Sequence, residues 1–204
     1  IRAGLGTILK TGDYLPYASP VNVKISAIKM RNYTNCNKIR LISGPQTRLF
    51  SKKIFENFLK TEFTITSSRD RMGIRLGHQG KKFDTKSGLN VLSEAIEIGD
   101  IQIDGQGVPT ILLNDRQPTG GYPRIATVIS ADLHKVAQIG VNSTFKFTLV
   151  SLNEAIKALK DFTDELSDLE NEVFNLTRDP GDIDNLLSYG LIDGAIRGDE
   201  YEES

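Results

Sequence analysis

Short segments in which apolar and polar residues alternate recur along much of the chain. The clearest are residues 21–25, 38–42 and 144–150. A period of two places one face of a segment against a core and the other in solvent, which predicts half-buried β-strands. Short strands at this spacing are typical of a β-barrel or a β-sandwich.

Other strands are predicted where apolar runs end at turn residues. Residues 5–17 predict a strand and a turn at Gly12-Asp13. Residues 63–66 and 74–76 predict two more strands. Residues 101–103 and 109–113 form the clearest hairpin, joined by the loop Asp-Gly-Gln-Gly at 104–107. An Asp-Gly start favours the turn conformation that twisted strands prefer.

Two short helices are predicted between the strands. Residues 51–60 have a helical apolar rhythm, and Ser51 is a suitable N-cap. Residues 133–138 predict a second helix, for which Ser130-Ala131-Asp132 supplies the cap.

A longer helix is predicted after the last strand. Ser151-Leu152-Asn153-Glu154 is a capping box, and Pro180-Gly181 marks the predicted end of the helix. Its apolar residues are spaced mostly by three and four, which forms a continuous seam. They are Leu152, Ile156, Leu159, Phe162, Leu166, Leu169, Val173 and Leu176. The seam either packs back on the β-rich body or docks a partner subunit.

Charge is distributed unevenly although the net charge is only −1. Residues 161–204 are strongly acidic and hold Arg178 and Arg197 as their basic residues, whereas basic residues predominate in 1–160. The basic residues are scattered among apolar ones, so we expect no nucleic-acid partner. No run approaches the ~18 apolar residues of a membrane span, and no targeting peptide is visible, so we expect no membrane association. The single cysteine, Cys36, fits a reducing compartment, and we expect a cytoplasmic protein.

The sequence lacks the motifs that usually mark several kinds of active site. The sequence has no Gly-x-x-x-x-Gly-Lys phosphate loop, no dinucleotide fingerprint and no Gly-x-Ser-x-Gly elbow. His78 and His134 are the two histidines, and we predict that both face solvent. The single cysteine is remote in sequence from both histidines. The ligands of a zinc site and the residue pair of a Cys/His nucleophile site are therefore missing, and no metal site is predicted.

Residues 114–124, Asn-Asp-Arg-Gln-Pro-Thr-Gly-Gly-Tyr-Pro-Arg, form the most informative loop, because they separate two apolar runs. Asp115 can accept a hydrogen bond from an N–H or act as a base, Arg116 can hold a carboxylate, and Gln117 can bind an amide or urea. Gly120 and Gly121 can present backbone N–H groups to an oxyanion, and Tyr122 can form a pocket wall. The alternative is a polar hairpin loop with a structural Arg–Asp pair.

A second charged segment, Arg69-Asp70-Arg71, lies at the end of a predicted strand. It forms either a solvated turn or a second lip of the same pocket.

The sequence of residues 113–133 closely resembles the biotin-dependent carboxyltransferase family. This family is also known as allophanate hydrolase subunit 2, the C subunit of 5-oxoprolinase and the Kip-type antagonist of a sporulation kinase inhibitor. The resemblance continues through Gly44-Pro45-Gln46, through residues 70–73 and through Leu92-Ser93-Glu94-Ala95. It covers roughly residues 5 to 157 in the family's order.

The resemblance implies a mainly β fold, a cyclophilin-like β-barrel with short helices, followed by a C-terminal α-helical tail. The barrel region would occupy residues 1–150 and the acidic tail residues 151–204. The implied catalytic positions are Asp115, Arg116 and Gln117. The implied substrate-binding positions are Gly120, Gly121, Tyr122, Arg69, Asp70 and Arg71.

The implied function is a subunit of a 5-oxoprolinase or of a urea or amide carboxyltransferase complex that binds a small amide, urea or lactam. Its partner would be the sister subunit, of the type of allophanate hydrolase subunit 1 or the B subunit of 5-oxoprolinase. ATP or carboxybiotin would enter through the complex. The alternatives are a non-catalytic regulatory module of the Kip-antagonist type and the remnant of a split gene.

The chain also departs from the family's pattern. From the resemblance we expect the family's N-terminal segment to be absent, with part of the pocket lost or supplied by another chain. Pro118 replaces the usual Thr, Arg124 stands where Lys is common, and residues 139–142 replace a Pro-Gly-Asp turn.

Overall fold

The computed structural model describes residues 10–14, 26–27, 37–85 and 88–175. The chain divides into two compact units, residues 1–29 with 172–204 and residues 30–171. The predicted strand at 21–25, Cys36 and the predicted end of the tail lie outside the described residues.

The strands are numbered in chain order. They are β1 (Ser26–Ala27), β2 (Lys38–Ile42), β3 (Glu62–Arg69), β4 (Gly73–His78), β5 (Glu94–Ala95), β6 (Asp100–Ile103), β7 (Pro109–Leu112), β8 (Thr119–Gly120), β9 (Arg124–Val128), β10 (Thr144–Leu149) and β11 (Phe174–Asn175). The α-helices are α1 (Lys52–Lys60), α2 (Leu133–Gln138) and α3 (Leu152–Ser167).

In the first unit, β1 pairs with β11 in antiparallel fashion. The predicted turn at Gly12-Asp13 is confirmed, because the Asp13 N–H donates to the Lys10 carbonyl at 3.1 Å. Gly12 has φ +96°, a conformation that glycine adopts readily.

Seven strands of the second unit close into a barrel in the order β10-β2-β9-β6-β7-β4-β3, and β3 pairs with β10. The β10–β2 pair is parallel and the other barrel pairs are antiparallel. Closure pairs the edges of all seven strands. The prediction of a mainly β barrel with short helices is confirmed.

The barrel encloses an aromatic core. Phe58 of α1 is fully buried and stacks on Phe147 of β10 at a centroid distance of 5.1 Å and an interplanar angle of 12°. Phe63 and Phe83 lie 5.1 and 5.3 Å from Phe58. Helix α1 is therefore anchored by one large side chain, and the predicted Ser51 cap is confirmed by the bond from the Ile54 N–H.

Helix α2 has the predicted bounds but not the predicted cap. Residues Ser130–Asp132 form a 3-10 turn, and Asp132 makes no capping hydrogen bond. Its carboxylate instead pairs with Arg40 and Lys135, at 2.7 Å each. The ion pairs, which link β2 to α2, take the oxygens that a cap would need.

Helix α3 begins at the predicted capping box, which is present, but it ends at Ser167. A 3-10 turn follows at Asp168–Glu172, and Phe174–Asn175 is extended. The prediction of one helix running through Leu176 is therefore wrong. The last turn of α3 contains no basic residue, and acidic side chains at a helix C-terminus oppose the helix dipole.

One face of α3 packs on the barrel and another is exposed. Ala158 and Phe162 contact a small cluster that includes Ile129 and Ala131. An exposed stripe consists of Leu152, Ile156, Leu159 and Leu166. Within the described residues, none of the helices combines the length and apolar character that crossing a membrane requires.

The prediction that both histidines face solvent is wrong, because each is half-buried against aromatic rings. His78 lies 4.8 Å from Phe83 and 5.9 Å from Phe63. His134 stacks on Phe162 at 4.5 Å with an interplanar angle of 1°. The imidazole ring offers a flat face that aromatic side chains can cover.

Replacing Ser151 with alanine is expected to lower the free energy of unfolding by about 1 kcal/mol, because the Ser151 Oγ satisfies an N–H of the first turn of α3. Urea denaturation measures this loss. Ser130→Ala, at an exposed serine that caps no helix, is the matched control and should change stability by less than about 0.5 kcal/mol. Equal losses in the two variants would contradict a capping role.

Candidate functional site

A cleft of about 550 Å³ opens beside the β3–β4 turn and the loop of residues 114–124. It is lined by Ser67, Ser68, Arg69, Asp70, Met72, Gly73, Arg75, Gln102, Asp104, Thr110, Leu112, Gln117 and Tyr122. Two segments that the sequence analysis singled out, 69–71 and 114–124, therefore contribute to one concave surface. Of the second charged segment, Arg69 and Asp70 line the cleft and Arg71 does not.

The β3–β4 turn is held by Asp70. Its Oδ1 accepts hydrogen bonds from the N–H groups of Met72 and Gly73 at 2.8 and 3.1 Å. A side chain at Gly73 would place its Cβ 2.8 Å from the carbonyl oxygen of Ile111. The turn therefore needs both the Asp70 carboxylate and a glycine at residue 73.

The arginines of the cleft wall have internal partners. Arg69 donates to the carbonyls of Ile139 and Ala137 at 2.7 and 2.8 Å, at the C-terminal end of α2. These bonds satisfy carbonyls that the end of a helix leaves without partners. Arg75 pairs with Asp104 at 2.6 Å. Both guanidinium groups line the cleft, and both already have hydrogen-bonding or ion-pair partners within the protein.

Asp115 lies outside the cleft-lining set and is joined to Arg71 of the turn. Arg71 Nε is 2.9 Å from Asp115 Oδ2, and Nη2 is 3.1 Å from Oδ1. The Asp115 N–H also donates to the Arg71 carbonyl at 3.0 Å. Both side chains are exposed, Arg71 at 85% and Asp115 at 43%. The two predicted site segments are thus tied together by a solvent-accessible bidentate ion pair.

Arg116 turns away from the cleft. Its Nε donates to the Ile96 carbonyl at 3.0 Å, and its Nη2 contacts Glu97 at 3.1 Å. The side chain is only 18% exposed. The Arg116 guanidinium group thereby anchors the loop to residues 96–97. Arg116 could bind a ligand carboxylate only after these contacts had broken.

Gln117 and Tyr122 line the cleft, and neither side chain hydrogen-bonds to another described residue. Gly120 and Gly121 do not belong to the lining. Gly120 lies against the Gln102 side chain, and the Gly121 carbonyl accepts the Val91 N–H at 2.9 Å.

A polar network behind the loop joins the other segments that carry the family resemblance. Arg124 Nη2 donates to Glu94 at 2.7 Å, and its Nη1 contacts Asp100 at 3.2 Å. Gln46 Nε2 donates to the same Glu94 carboxylate at 2.8 Å, while Gln46 Oε1 accepts the Arg124 N–H at 2.9 Å. The Asp100 carboxylate also accepts the Thr127 hydroxyl at 2.6 Å. These residues fix the start of β9, where loop 114–124 ends.

Of the nine predicted site residues, four line the cleft: Arg69, Asp70, Gln117 and Tyr122. Sequence reasoning missed Gln102, Arg75 and Asp104. The signal for Gln102 was a polar residue between Ile101 and Ile103 in a strand buried on both faces. No group of three or more His, Cys, Asp or Glu residues suited to a metal ion occurs among the described residues.

The sequence model of the carboxyltransferase domain, subdomain A and B, matches residues 1–149. The chain belongs to this carboxyltransferase-domain family. It is 39% identical over 165 residues to the C subunit of 5-oxoprolinase from Haemophilus influenzae, covering 77% of this chain and 51% of that protein. It is 35% identical over 156 residues to the C subunit of 5-oxoprolinase from Escherichia coli, covering 76% and 50%.

This carboxyltransferase-domain chain thus spans about half the length of those curated relatives. Its fold also resembles part of the urea amidolyase of K. lactis, with a TM-score of 0.59 over 70% of this chain and 10% of that chain. The sequence identity is 22%, so this likeness concerns the fold alone. The family resemblance of residues 113–133 is confirmed.

Proposed function

We propose that this carboxyltransferase-domain chain is a component of a 5-oxoprolinase- or urea-carboxylase-type enzyme complex and binds a small amide, urea or lactam in its cleft. One observation carries the proposal: Gln117 and Tyr122, from the loop most characteristic of the family, line the cleft with uncommitted polar groups. Side-chain amides and hydroxyls can match both the N–H and the C=O of such a substrate.

Five of the predicted site residues take roles consistent with their contacts. Gln117 binds the substrate amide, and Tyr122 forms a wall and offers its hydroxyl. Asp115 accepts a hydrogen bond from a substrate N–H after its exposed pair with Arg71 opens, which costs little because exposed ion pairs are weak. Arg116 and Arg69 position the loop and the cleft wall through their carbonyl contacts.

The names of the curated relatives support a multi-subunit assembly, since each is named as one lettered subunit of 5-oxoprolinase. The proposed partner is the sister subunit, of the type of the B subunit of 5-oxoprolinase or allophanate hydrolase subunit 1. ATP or carboxybiotin would enter through that complex, which we place in the cytoplasm. A cyclic urea such as the biotin ring carries a carbonyl and N–H groups, and the neutral amides of the cleft suit both. Bound carboxybiotin would supply the carboxyl group for transfer.

The test is turnover by the assembled complex. The chain is combined with the partner 5-oxoprolinase subunits, ATP and 5-oxoproline, and glutamate is measured. Gln117→Ala and Asp115→Ala are each expected to lower kcat/KM about tenfold, the loss of one substrate hydrogen bond. Glu56→Ala, at an exposed carboxylate on α1, is the matched control and should retain full activity. An active complex that is indifferent to both variants would exclude this site.

The exposed stripe on α3 favours a second function, a binding module of the Kip-antagonist type. Leu152, Ile156, Leu159 and Leu166 present an apolar surface on one side of the helix, as a protein-docking face would. In a pull-down with the sister subunit, Ile156→Asp is expected to abolish capture if contact alone is the function, whereas Asp115→Ala should leave capture unchanged. Catalytic turnover that depends on Gln117 would favour the enzyme instead.

A further inference from the structure

Gln102 is a buried polar residue that the roles assigned above do not explain. It lies on β6, between two fully buried isoleucines, and is only 5% exposed. Its Nε2 is buried and has no hydrogen-bond partner. Folded proteins rarely leave a buried N–H donor without an acceptor, because its lost hydration is not recovered. Because Gln102 also lines the cleft, a ligand bound there can supply the missing acceptor.

The backbone beside Gln102 is shaped around this amide. Gly120 of β8 lies next to Nε2, and a Cβ added at Gly120 would collide with that nitrogen. Gln102 of β6 is paired with Thr110 of β7, which lines the same cleft. A glycine at residue 120 therefore leaves the space that the Gln102 amide occupies.

The remaining groups of the cleft limit the ligand's chemistry. The charges of Arg69, Asp70, Arg75 and Asp104 are met by partners within the chain. Among the described lining residues, the side chains of Gln102, Gln117 and Tyr122 have no hydrogen bonds to protein groups. The uncommitted amide and hydroxyl groups are neutral, and they suit the amide, urea or lactam group of a ligand.

We propose that the side-chain amide of Gln102 binds the carbonyl oxygen of a small amide or lactam in this cleft. The inference rests on the proposed function and adds a specificity-determining residue to it. Rotation of the terminal amide is inexpensive because its sp³–sp² torsion is broad, so the N–H group can turn toward the ligand. The ligand oxygen then supplies the missing acceptor, and a ring without a carbonyl leaves the donor unsatisfied.

The experiment measures binding of small rings to the full chain by NMR titration. The probes are 2-pyrrolidone, cyclopentanone, which keeps only the carbonyl, and cyclopentane, a neutral ring that lacks it. Wild type is expected to bind the two carbonyl compounds at least about tenfold more tightly than cyclopentane. Gln102→Met should weaken binding of both carbonyl compounds about tenfold or more. Gly120→Ala should do the same by displacing the amide.

Thermal unfolding separates binding from structure. Because the Gln102 Nε2 has no partner in the chain, Gln102→Met should leave the unfolding midpoint unchanged or raise it. Gln79→Met, the same substitution at an exposed position outside the cleft, should change neither binding nor stability. A marked fall in the midpoint of Gln102→Met would show a structural amide and overturn the inference. Unchanged carbonyl binding, or no binding by wild type, would overturn it as well.

This test is separable from that of the proposed function because it needs no partner subunit. Gln102-dependent carbonyl binding together with an inactive complex would contradict the proposed enzyme and leave the role of Gln102 standing. An active complex whose chain binds carbonyl rings equally with and without the Gln102 amide would contradict only the inference.

Discussion

Asp132→Asn is expected to lower the free energy of unfolding at neutral pH by about 3 kcal/mol, because it removes the anion between two cations. Asp132 is 1% exposed, and its carboxylate accepts the Arg40 N–H at 2.9 Å and the Arg40 side chain at 3.0 and 2.7 Å. The Lys135 ammonium lies 2.7 Å away. Arg40 and Lys135 are 37% and 23% exposed, so partial hydration holds the loss at the lower end for a broken buried pair.

The effect should depend on pH in a definite direction. Burial alone would raise the pKa of Asp132, but the hydrogen bonds from Arg40 and Lys135 outweigh it and lower the pKa below its ordinary value. A carboxylate with a lowered pKa in the folded state stabilises the fold above its unfolded value of about 3.9, and this contribution is lost as the pH falls toward the folded value. The stability difference between wild type and Asp132→Asn should therefore be constant near neutrality and shrink below about pH 4.

Urea denaturation at a series of pH values measures both effects. The matched control is Glu56→Gln, the same change of carboxylate to amide in the exposed Lys52–Glu56 pair at 3.9 Å. That pair should contribute less than about 0.5 kcal/mol. A difference for Asp132→Asn that grows as the pH falls below about 4 would contradict the assigned direction of the pKa shift.

The strands of the barrel were predictable because alternation directly records which side chains face the core. Residues 38–42 and 144–149 show this, with Ile39, Leu41, Phe145 and Phe147 buried between more exposed neighbours. The choice between barrel and sandwich depends on which strands pair across long stretches of sequence, and alternation does not encode it. The family resemblance supplied that choice.

The length of α3 was overestimated for a related reason. The three- and four-residue spacing of apolar positions continues through Val173 and Leu176. Periodicity shows which face of a helix is apolar, however, and does not indicate where the helix ends. The acidic residues after Thr163 and the absence of a basic residue in the last turn disfavour further helix, and β11 pairs with β1 instead.

For the site, the sequence predicted where polar chemistry concentrates but not where each side chain points. Asp115, Arg116 and Gln117 are consecutive, yet they face Arg71, Ile96 and the cleft respectively. Such divergence follows from loop dihedral angles and from distant partners, and neither can be derived from residue types. Gln102 was missed because a buried strand gives no local sign that its amide will lie beside Gly120.

Arg124→Met is expected to destabilise the protein by about 4 kcal/mol at neutral pH, because it removes the only cation between two carboxylates in the described network. The Arg124 side chain is 13% exposed, and the Asp100 side chain 6% exposed. Asp100 would keep its bonds from the Thr127 hydroxyl and the Glu97 N–H, but its buried charge would lose its counter-ion. The midpoint of urea unfolding measures the loss.

Arg124→Lys tests whether the planar geometry of the guanidinium group contributes to stability in addition to its charge. Arg124 reaches the Ala95 carbonyl, Glu94 and Asp100 from separate positions on two nitrogens, and one ammonium cannot reproduce that geometry. Arg124→Lys should therefore lose about half as much stability as Arg124→Met. Arg71→Met, which removes an 85%-exposed arginine from its pair with Asp115, is the matched control and should cost less than about 1 kcal/mol.

The relative stabilities of these three variants test the role of the network. Equal losses for Arg71→Met and Arg124→Met would mean that burial of the network contributes nothing, which would contradict its assignment as the support of β9 and of loop 114–124. An Arg124→Lys variant as stable as wild type would instead show that charge alone is sufficient. That result would make arginine and lysine interchangeable at residue 124. We expect Arg124→Met to lose the most stability, Arg124→Lys about half as much and Arg71→Met the least. This order would show that the guanidinium group of Arg124 fixes the base of the loop that carries Gln117 and Tyr122.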